Sequence, residues 1–434
     1  MKDLRKKLAC TLLGEITTTT TPYHVAEYLW TFDSIYQDLS ATFNGLPMNG
    51  AQFNPSTITG YGSSLLLSFA AQQSLSMDQP FLDLTDHSWT FEAWVYPLTL
   101  RNDTDYAIIS QCQSFGAHIC LHLNIRMKKL YMGFYGDDLA GITSLMVSKW
   151  YHIAFVFDND NLTQSIYLDG VLDSSRMAFS SYLGNNGSLV IGSNFQGTTF
   201  YDGLIDQLSY SNRVKTAAKI LDDATLTLSF SFDNGSLYDE GLLRINGSLV
   251  GSTSVVSGRK GHAIQFGPSM DSYFRVSGLV LLGSSNQCYS MSIWINPTVS
   301  NRSSIIHVSS EHDGYGWCLK MLGLSAAGQL IAFSYDNTEV SVAGPMLPLN
   351  SWTHAAVTYS MSNGLRLYVN GTLQNSTIPF AYTASGRSNY LFLGSSLNGT
   401  LCIGIEGQFV GALDEFRLYS RELTVSDVQI LSQT

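Results

Sequence analysis

Apolar and polar residues alternate along most of this chain, in short runs rich in Tyr, Phe, Val, Ile and Thr. A period of two places successive side chains on opposite faces of a strand, so each run predicts a β-strand with one buried face. Gly, Asn, Asp and Ser separate the runs and supply turns. His152-Ile-Ala-Phe-Val-Phe157 predicts one strand, Asp158-Asn-Asp-Asn161 a turn, and Thr163-Gln-Ser-Ile-Tyr-Leu168 the returning strand. Asp169-Gly170 and Asn370-Gly371 are hairpin-turn dipeptides. Helical patterning is confined to two short segments, around residues 215–221 and 424–431. Many strands and little helix predict an all-β fold of two-sheet antiparallel jelly-roll sandwiches.

The pattern occurs twice. WTFEAWVYP at 89–97 returns as YSMSIWINP at 289–297, and WYHIAFVFD at 150–158 as WTHAAVTYS at 352–360. GLIDQLSYSNR at 203–213 returns as GALDEFRLYSR at 411–421. An offset of 200 to 208 residues is too long for a solenoid repeat and predicts two whole domains in tandem. We place them at residues 26–221 and 225–434, after a lead-in at 1–25 that carries a Thr-rich linker. The join, Asp222-Asp223-Ala224, is too short for a free linker.

Composition narrows the function. Apolar residues make up 45% and charged residues only 13%, which suits a secreted β-protein. The net charge is −11, and no dense basic cluster follows the first seven residues, which argues against nucleic-acid binding. No run reaches the roughly 20 apolar residues of a membrane span. The start has basic residues and a short apolar run, Leu8 to Leu13, at the lower limit for a signal peptide. Sequons at Asn102, Asn161, Asn186, Asn234, Asn246, Asn301, Asn370, Asn375 and Asn398 predict glycosylation. Of six cysteines, Cys112 and Cys120 flank a turn and are expected to pair. Cys120 aligns with Cys318, whose expected partner is Cys402, with Cys288 second; Cys10 lies outside both domains.

The ordered motifs resemble a known family. Each copy starts with Phe-Asp (Trp30-Thr-Phe-Asp33, Phe230-Ser-Phe-Asp233) and continues with a Trp strand ending in Pro. Trp-x-His, Tyr-x-Asn/Asp-Gly and Gly-x-Ile/Leu-Asp then follow. This resembles the laminin-G-like jelly roll of the concanavalin A-like lectin and glucanase superfamily, over nearly all of 26–434. The resemblance implies a structural calcium between first and last strands, with Asp33 and Asp206 as ligands in one copy and Asp233 and Asp414 in the other. By strand parity, Asp206 (with Leu204, Leu208 and Tyr210) and Asp414 are expected to face an apolar layer. Backbone N–H groups, Arg213 or Arg421 are the alternative partners.

Trp94, Trp294, Trp150 and Trp352 are expected in the core between the sheets. His152 and His354 lack partners at zinc spacing and read as strand histidines bonded to a neighbour. The Glu-x-Asp-x-x-Glu acid pattern that the resemblance would require of a glucanase is absent, and Glu92 has Ser292 as its counterpart. No nucleophile elbow, P-loop or HExxH helix occurs. Tyr315 and Trp317, in the turn from Ser310, offer an aromatic platform for a sugar, or Trp317 packs beside the Cys318 disulfide. Tyr135, Asp137 and Asp138 are candidates for a binding face in the first copy. These features predict a non-enzymatic extracellular binding or adhesion protein with calcium as cofactor. Its expected partner is a glycan or an extracellular protein. The alternatives are a structural spacer within a larger secreted or surface protein and, behind it, a degenerate glycosidase.

Overall fold

A computed structural model of the protein describes residues 28–397 and 402–434. The lead-in with Cys10, and Asn398, lie outside the described residues. Two compact units divide the rest, residues 28–58 with 62–224, and residues from 225 onward together with 59–61. Asp222, Asp223 and Ala224 are buried in the last turn of the helix Ala217–Thr225, which runs directly into the strand Leu226–Phe230.

The N-terminal domain is two antiparallel sheets. In the eight-stranded sheet the spatial order is Val171–Met177, Thr163–Leu168, Tyr151–Asp158, Trp89–Pro97, Gly203–Ser211, Ser64–Leu67 and Gln52–Asn54, with Tyr28–Trp30 also pairing with Gly203–Ser211. The seven-stranded sheet is ordered Asp138–Ala140, Lys129–Gly133, Cys120–Arg126, Tyr106–Cys112, Leu189–Ile191, Ser74–Met77 and Leu46–Met48. Strands distant in sequence lie side by side in both, as a jelly roll requires. The C-terminal domain likewise has an eight-stranded and a seven-stranded sheet.

Alternation builds the core. Trp89, Phe91, Ala93 and Val95 point inward from one sheet, and Leu121, Leu123, Ile125, Leu130 and Met132 from the other. Fully burying one such side chain stabilises the fold by about 1.5–3 kcal/mol. The intervening residues face outward, which decides where the chemistry sits.

The parity argument for the repeated Asp fails at a β-bulge. In Gly203–Ser211 the register shifts between Asp206 and Ser209, and Gln207 takes φ 49°. Before the bulge Ile205 faces the core; after it Leu208 and Tyr210 do. Asp206 pairs across with Trp94, so both lie on the outward side. Asp414 pairs with Trp294 in the same way, beside Glu415 at φ 50°. One inserted residue reverses the faces, a change that alternation counting misses. Trp94 and Trp294 are therefore not between the sheets. They stand edge-on against His152 and His354, at 5.2 and 5.3 Å between ring centroids.

Candidate functional site

The strand Cys120–Arg126 directs Leu121, Leu123 and Ile125 into the core, so Cys120, His122, Asn124 and Arg126 share the other face. Neighbouring strands add Ser110, Cys112 and Tyr131 to that face. Turns at its rim contribute Phe115, Tyr135 and Phe195. Tyr131 apart, these residues together with Asp105 and Asp138 bound a cleft of about 260 Å³. The Cys112–Cys120 disulfide ties the mouth of one hairpin at the cleft wall.

Polar groups in the cleft are held in fixed positions. Arg126 donates from Nε and Nη2 to Asp105 Oδ2, at 2.9 and 2.7 Å, and lies 4.0 Å over the Tyr131 ring. The Tyr131 hydroxyl donates to Asp138 Oδ2 at 2.9 Å, and burial, then Asp138, push its pKa up to about 12. His122 stacks on Tyr131, with Nε2 3.6 Å from Asp138 Oδ1. Burial lowers the His122 pKa, against the pull of Asp138, so the ring is neutral at pH 7. Gly133 makes room for this arrangement: a Cβ there would meet His122 Nε2 at 2.2 Å and Asp138 Oδ1 at 2.3 Å.

The rim is aromatic. Phe115 lies 5.4 Å from Tyr135 and 5.7 Å from Phe195, centroid to centroid. All three are 46% exposed and adjoin one another, so they form one contiguous apolar patch at the rim. A hydrophobic rim beside fixed polar groups can stack on a sugar ring and hydrogen-bond its hydroxyls.

The sequence candidates divide. Tyr135 and Asp138 line the cleft. Asp137 does not: it is fully buried, accepts from the Arg176 guanidinium and the Phe179 N–H, and lies 3.5 Å from His118 Nδ1. Tyr315 and Trp317 belong to the other domain. Tyr315 is exposed, whereas Trp317 is half-buried, 6.3 Å from the Tyr382 ring. Phe115, Phe195, His122, Asn124, Arg126 and Asp105 went unnoticed in the sequence. The alternation Cys120, His122, Asn124, Arg126 was the available signal, an outward row of polar residues on a strand.

The same face of the C-terminal domain is covered. Lys320 stands where His122 does, and its side chain is fully buried. Its Nζ donates to the Cys402 carbonyl at 3.1 Å, its N–H to the Ile403 carbonyl at 2.9 Å, and Glu406 lies 3.6 Å away. Cys318 pairs with Cys402, which anchors this segment; Cys288 is disulfide-bonded as well. The connection from Gly394 to Asp414 is six residues longer than that from Gly192 to Asp206, and within it Ile403 bridges Leu319 and Gln408 bridges Ser304 of the sheet.

The two Asp pairs differ in their fit to a cation. Asp206 is buried; Oδ2 accepts from the Ile58 N–H at 3.4 Å, the adjacent Gln207 N–H helps hold the carboxylate, and Oδ1 makes no hydrogen bond of full geometry. Burial and then the Asp33 charge drive its pKa well up, so the two carboxylates feel one another. An orphaned buried oxygen beside a second carboxylate fits a hard cation. Asp414 instead accepts from the N–H groups of Arg259, Lys260 and Glu415 at 2.8, 3.2 and 2.8 Å, and Asp233 from His262 at 2.7 Å. Backbone donors thus reach both carboxylates of that pair, as the Ser63 N–H reaches Asp33 at 2.9 Å. Arg421 is held elsewhere, on Asp427 at 2.7 Å. Among the described residues no three His, Cys, Asp or Glu side chains cluster as metal ligands.

Glu92 has a second acid close by, although no acid pattern on its strand announces one. The helix Ala217–Thr225 brings Asp223 over the outward face, where Lys215 donates to both Glu92 and Asp223. These side chains are 1% exposed, so the two acids clamp a buried lysine. Burial pulls the His152 pKa down to about 3, and neither ring nitrogen has a hydrogen-bond partner. Of the sequons, Asn102, Asn161, Asn186, Asn234, Asn246, Asn370 and Asn375 are exposed. Asn301 is half-buried, and its amide donates to the Gln408 carbonyl at 3.1 Å.

Two tandem antiparallel sandwiches of eight and seven strands define the jelly-roll class of β-protein. A laminin G family model, described as the concanavalin A-like lectin/glucanases superfamily, matches residues 69–221 and 266–429, and the chain belongs to this superfamily. A search of curated protein sequences found no match. Among solved structures, domain 4 of AbnA, an extracellular arabinanase from Geobacillus stearothermophilus determined with arabinotriose, is 25% identical, with a TM-score of 0.37 over 48% of this chain and 98% of that one. The binding domain of Paraclostridial Mosquitocidal Protein 1 is 20% identical, with a TM-score of 0.38 over 48% and 52%. The botulinum neurotoxin serotype G binding domain is 16% identical, with a TM-score of 0.37 over 48% and 50%. The match spans about half the length of these toxin domains.

Proposed function

We propose that this chain is a non-catalytic, extracellular glycan-binding protein whose N-terminal domain holds its ligand in the Phe115–Tyr135–Phe195 cleft. The observation that carries this reading is the exposed aromatic rim beside a row of fixed polar side chains. Its disulfides and exposed sequons support a secretory destination. The C-terminal domain acts as scaffold, its own segment lying where the cleft would be. Binding to a glycan array tests the reading. Tyr135→Ala and Phe195→Ala should each weaken binding by about tenfold, or about 1.4 kcal/mol. Unchanged binding in both would remove the cleft from consideration.

A calcium ion on Asp33 and Asp206 completes the proposal for the N-terminal domain. When bound it would offset the charge of both carboxylates and tie the first strands to the last. Added calcium should raise the melting temperature of wild type and not of Asp206→Ala. No response of wild type to calcium or chelator would refute this part.

A further inference from the structure

The charge of the cleft decides which glycans it admits, an inference that rests on the glycan reading above. Its lining includes two carboxylates, Asp105 and Asp138, one guanidinium, Arg126, and one imidazole, His122. Arg126 and Asp105 cancel. The side-on fork with which an arginine grips an anion, Nε with Nη2, is already on Asp105. Its guanidinium is also stacked on Tyr131, which fixes its plane and leaves a ligand only the outer Nη1 edge. His122 is buried enough to stay neutral at pH 7. Asp138 therefore remains as one net negative charge.

The unmet hydrogen-bonding capacity has the same sign. Asp138 Oδ1 has no hydrogen-bond donor, the His122 nitrogen at 3.6 Å being out of reach. Asn124 is 4% exposed, and its Oδ1 is also without a partner. Both residues line the cleft. Buried acceptors left unpaired are costly, and a ligand that brings donors relieves that cost. Hydroxyl groups bring donors; sulfates and carboxylates bring only acceptors and a like charge.

We propose that the cleft selects neutral, hydroxyl-rich glycans, with Asp138 and Asn124 accepting from ligand hydroxyls, and rejects sulfated, sialylated and uronate-bearing ones. The test uses the full chain on an array of neutral oligosaccharides, their sialylated and sulfated counterparts, and heparin, with calorimetry on the hits. Wild type should bind neutral structures and bind their anionic counterparts at least about tenfold more weakly. Asp138→Asn, which keeps the shape and folds as judged by circular dichroism, should weaken neutral binding. Binding to heparin or a sialylated glycan that Tyr135→Ala abolishes would overturn the selectivity while leaving the cleft as the glycan site. Binding to no glycan, or binding indifferent to Tyr135→Ala, would overturn the glycan reading itself.

Discussion

Lys215→Met should destabilise the N-terminal domain severely. The wild-type ammonium is shared by Glu92 and by Asp223 Oδ2, the latter at 2.9 Å, with all three side chains 1% exposed. Methionine keeps most of the stem and deletes the charge. Asp223 then retains only Lys219, and Glu92 retains a neutral histidine 3.7 Å away. Removing one member of a buried ion pair costs about 3–5 kcal/mol, mostly from the carboxylate left uncompensated. The second copy shows how the same position is filled without charge. Ser292, Leu423 and Leu431 stand at the places of Glu92, Lys215 and Asp223, and both leucines join Val428 and Tyr419 in a buried apolar cluster. The triple variant Glu92→Ser, Lys215→Leu, Asp223→Leu should therefore lie between neutral and about 4 kcal/mol more stable than wild type. Urea unfolding followed by tryptophan emission measures both, with the transition of the C-terminal domain as an internal control. A Lys215→Met variant within about 1 kcal/mol of wild type, or a triple variant no better than the single one, would refute the reasoning.

Three more outcomes follow from the geometry. Burial pushes the Glu92 pKa up to about 7, so its folded form favours the proton; that stability is whole below about pH 4.5 and is lost as pH rises through 7. The urea midpoint of wild type should fall across this window more than that of Glu92→Gln. Gly133→Ala should force His122 and Asp138 apart, lowering stability by about 1–3 kcal/mol and glycan affinity by more than tenfold, read by thermal melting and calorimetry. Replacing Cys318 and Cys402 by Ser opens a span of 84 residues, against 8 for Cys112 and Cys120. Chain entropy then predicts losses of about 4–5 and about 2–3 kcal/mol respectively, and equal losses in denaturant titration would contradict it.

Period-two patterning and the tandem motifs made the two sandwiches legible, because strand alternation is a local property. The faces of Asp206 and Asp414 were not legible, because a single bulge residue inverts the count. The cleft was half-visible: Tyr135 and Asp138 are adjacent to the strands that build it, whereas Phe115 and Phe195 meet only once two distant turns close over the sheet. Asp137 and Asp138 are neighbours with opposite fates, since a turn sends one under Arg176 and the other to the open face. Nor does spacing reveal the partnership of Glu92 with Asp223, which a helix folds across 131 residues of chain.

The covered face of the C-terminal domain has a consequence for valency. With Lys320 beneath Cys402–Glu406, the repeat does not double the cleft described for the N-terminal domain. On the glycan reading proposed above, one such cleft among the described residues would let the chain decorate a polysaccharide without cross-linking it. Avidity would then arise from many chains arrayed on one surface, and would vanish when the chain is diluted to a monomer.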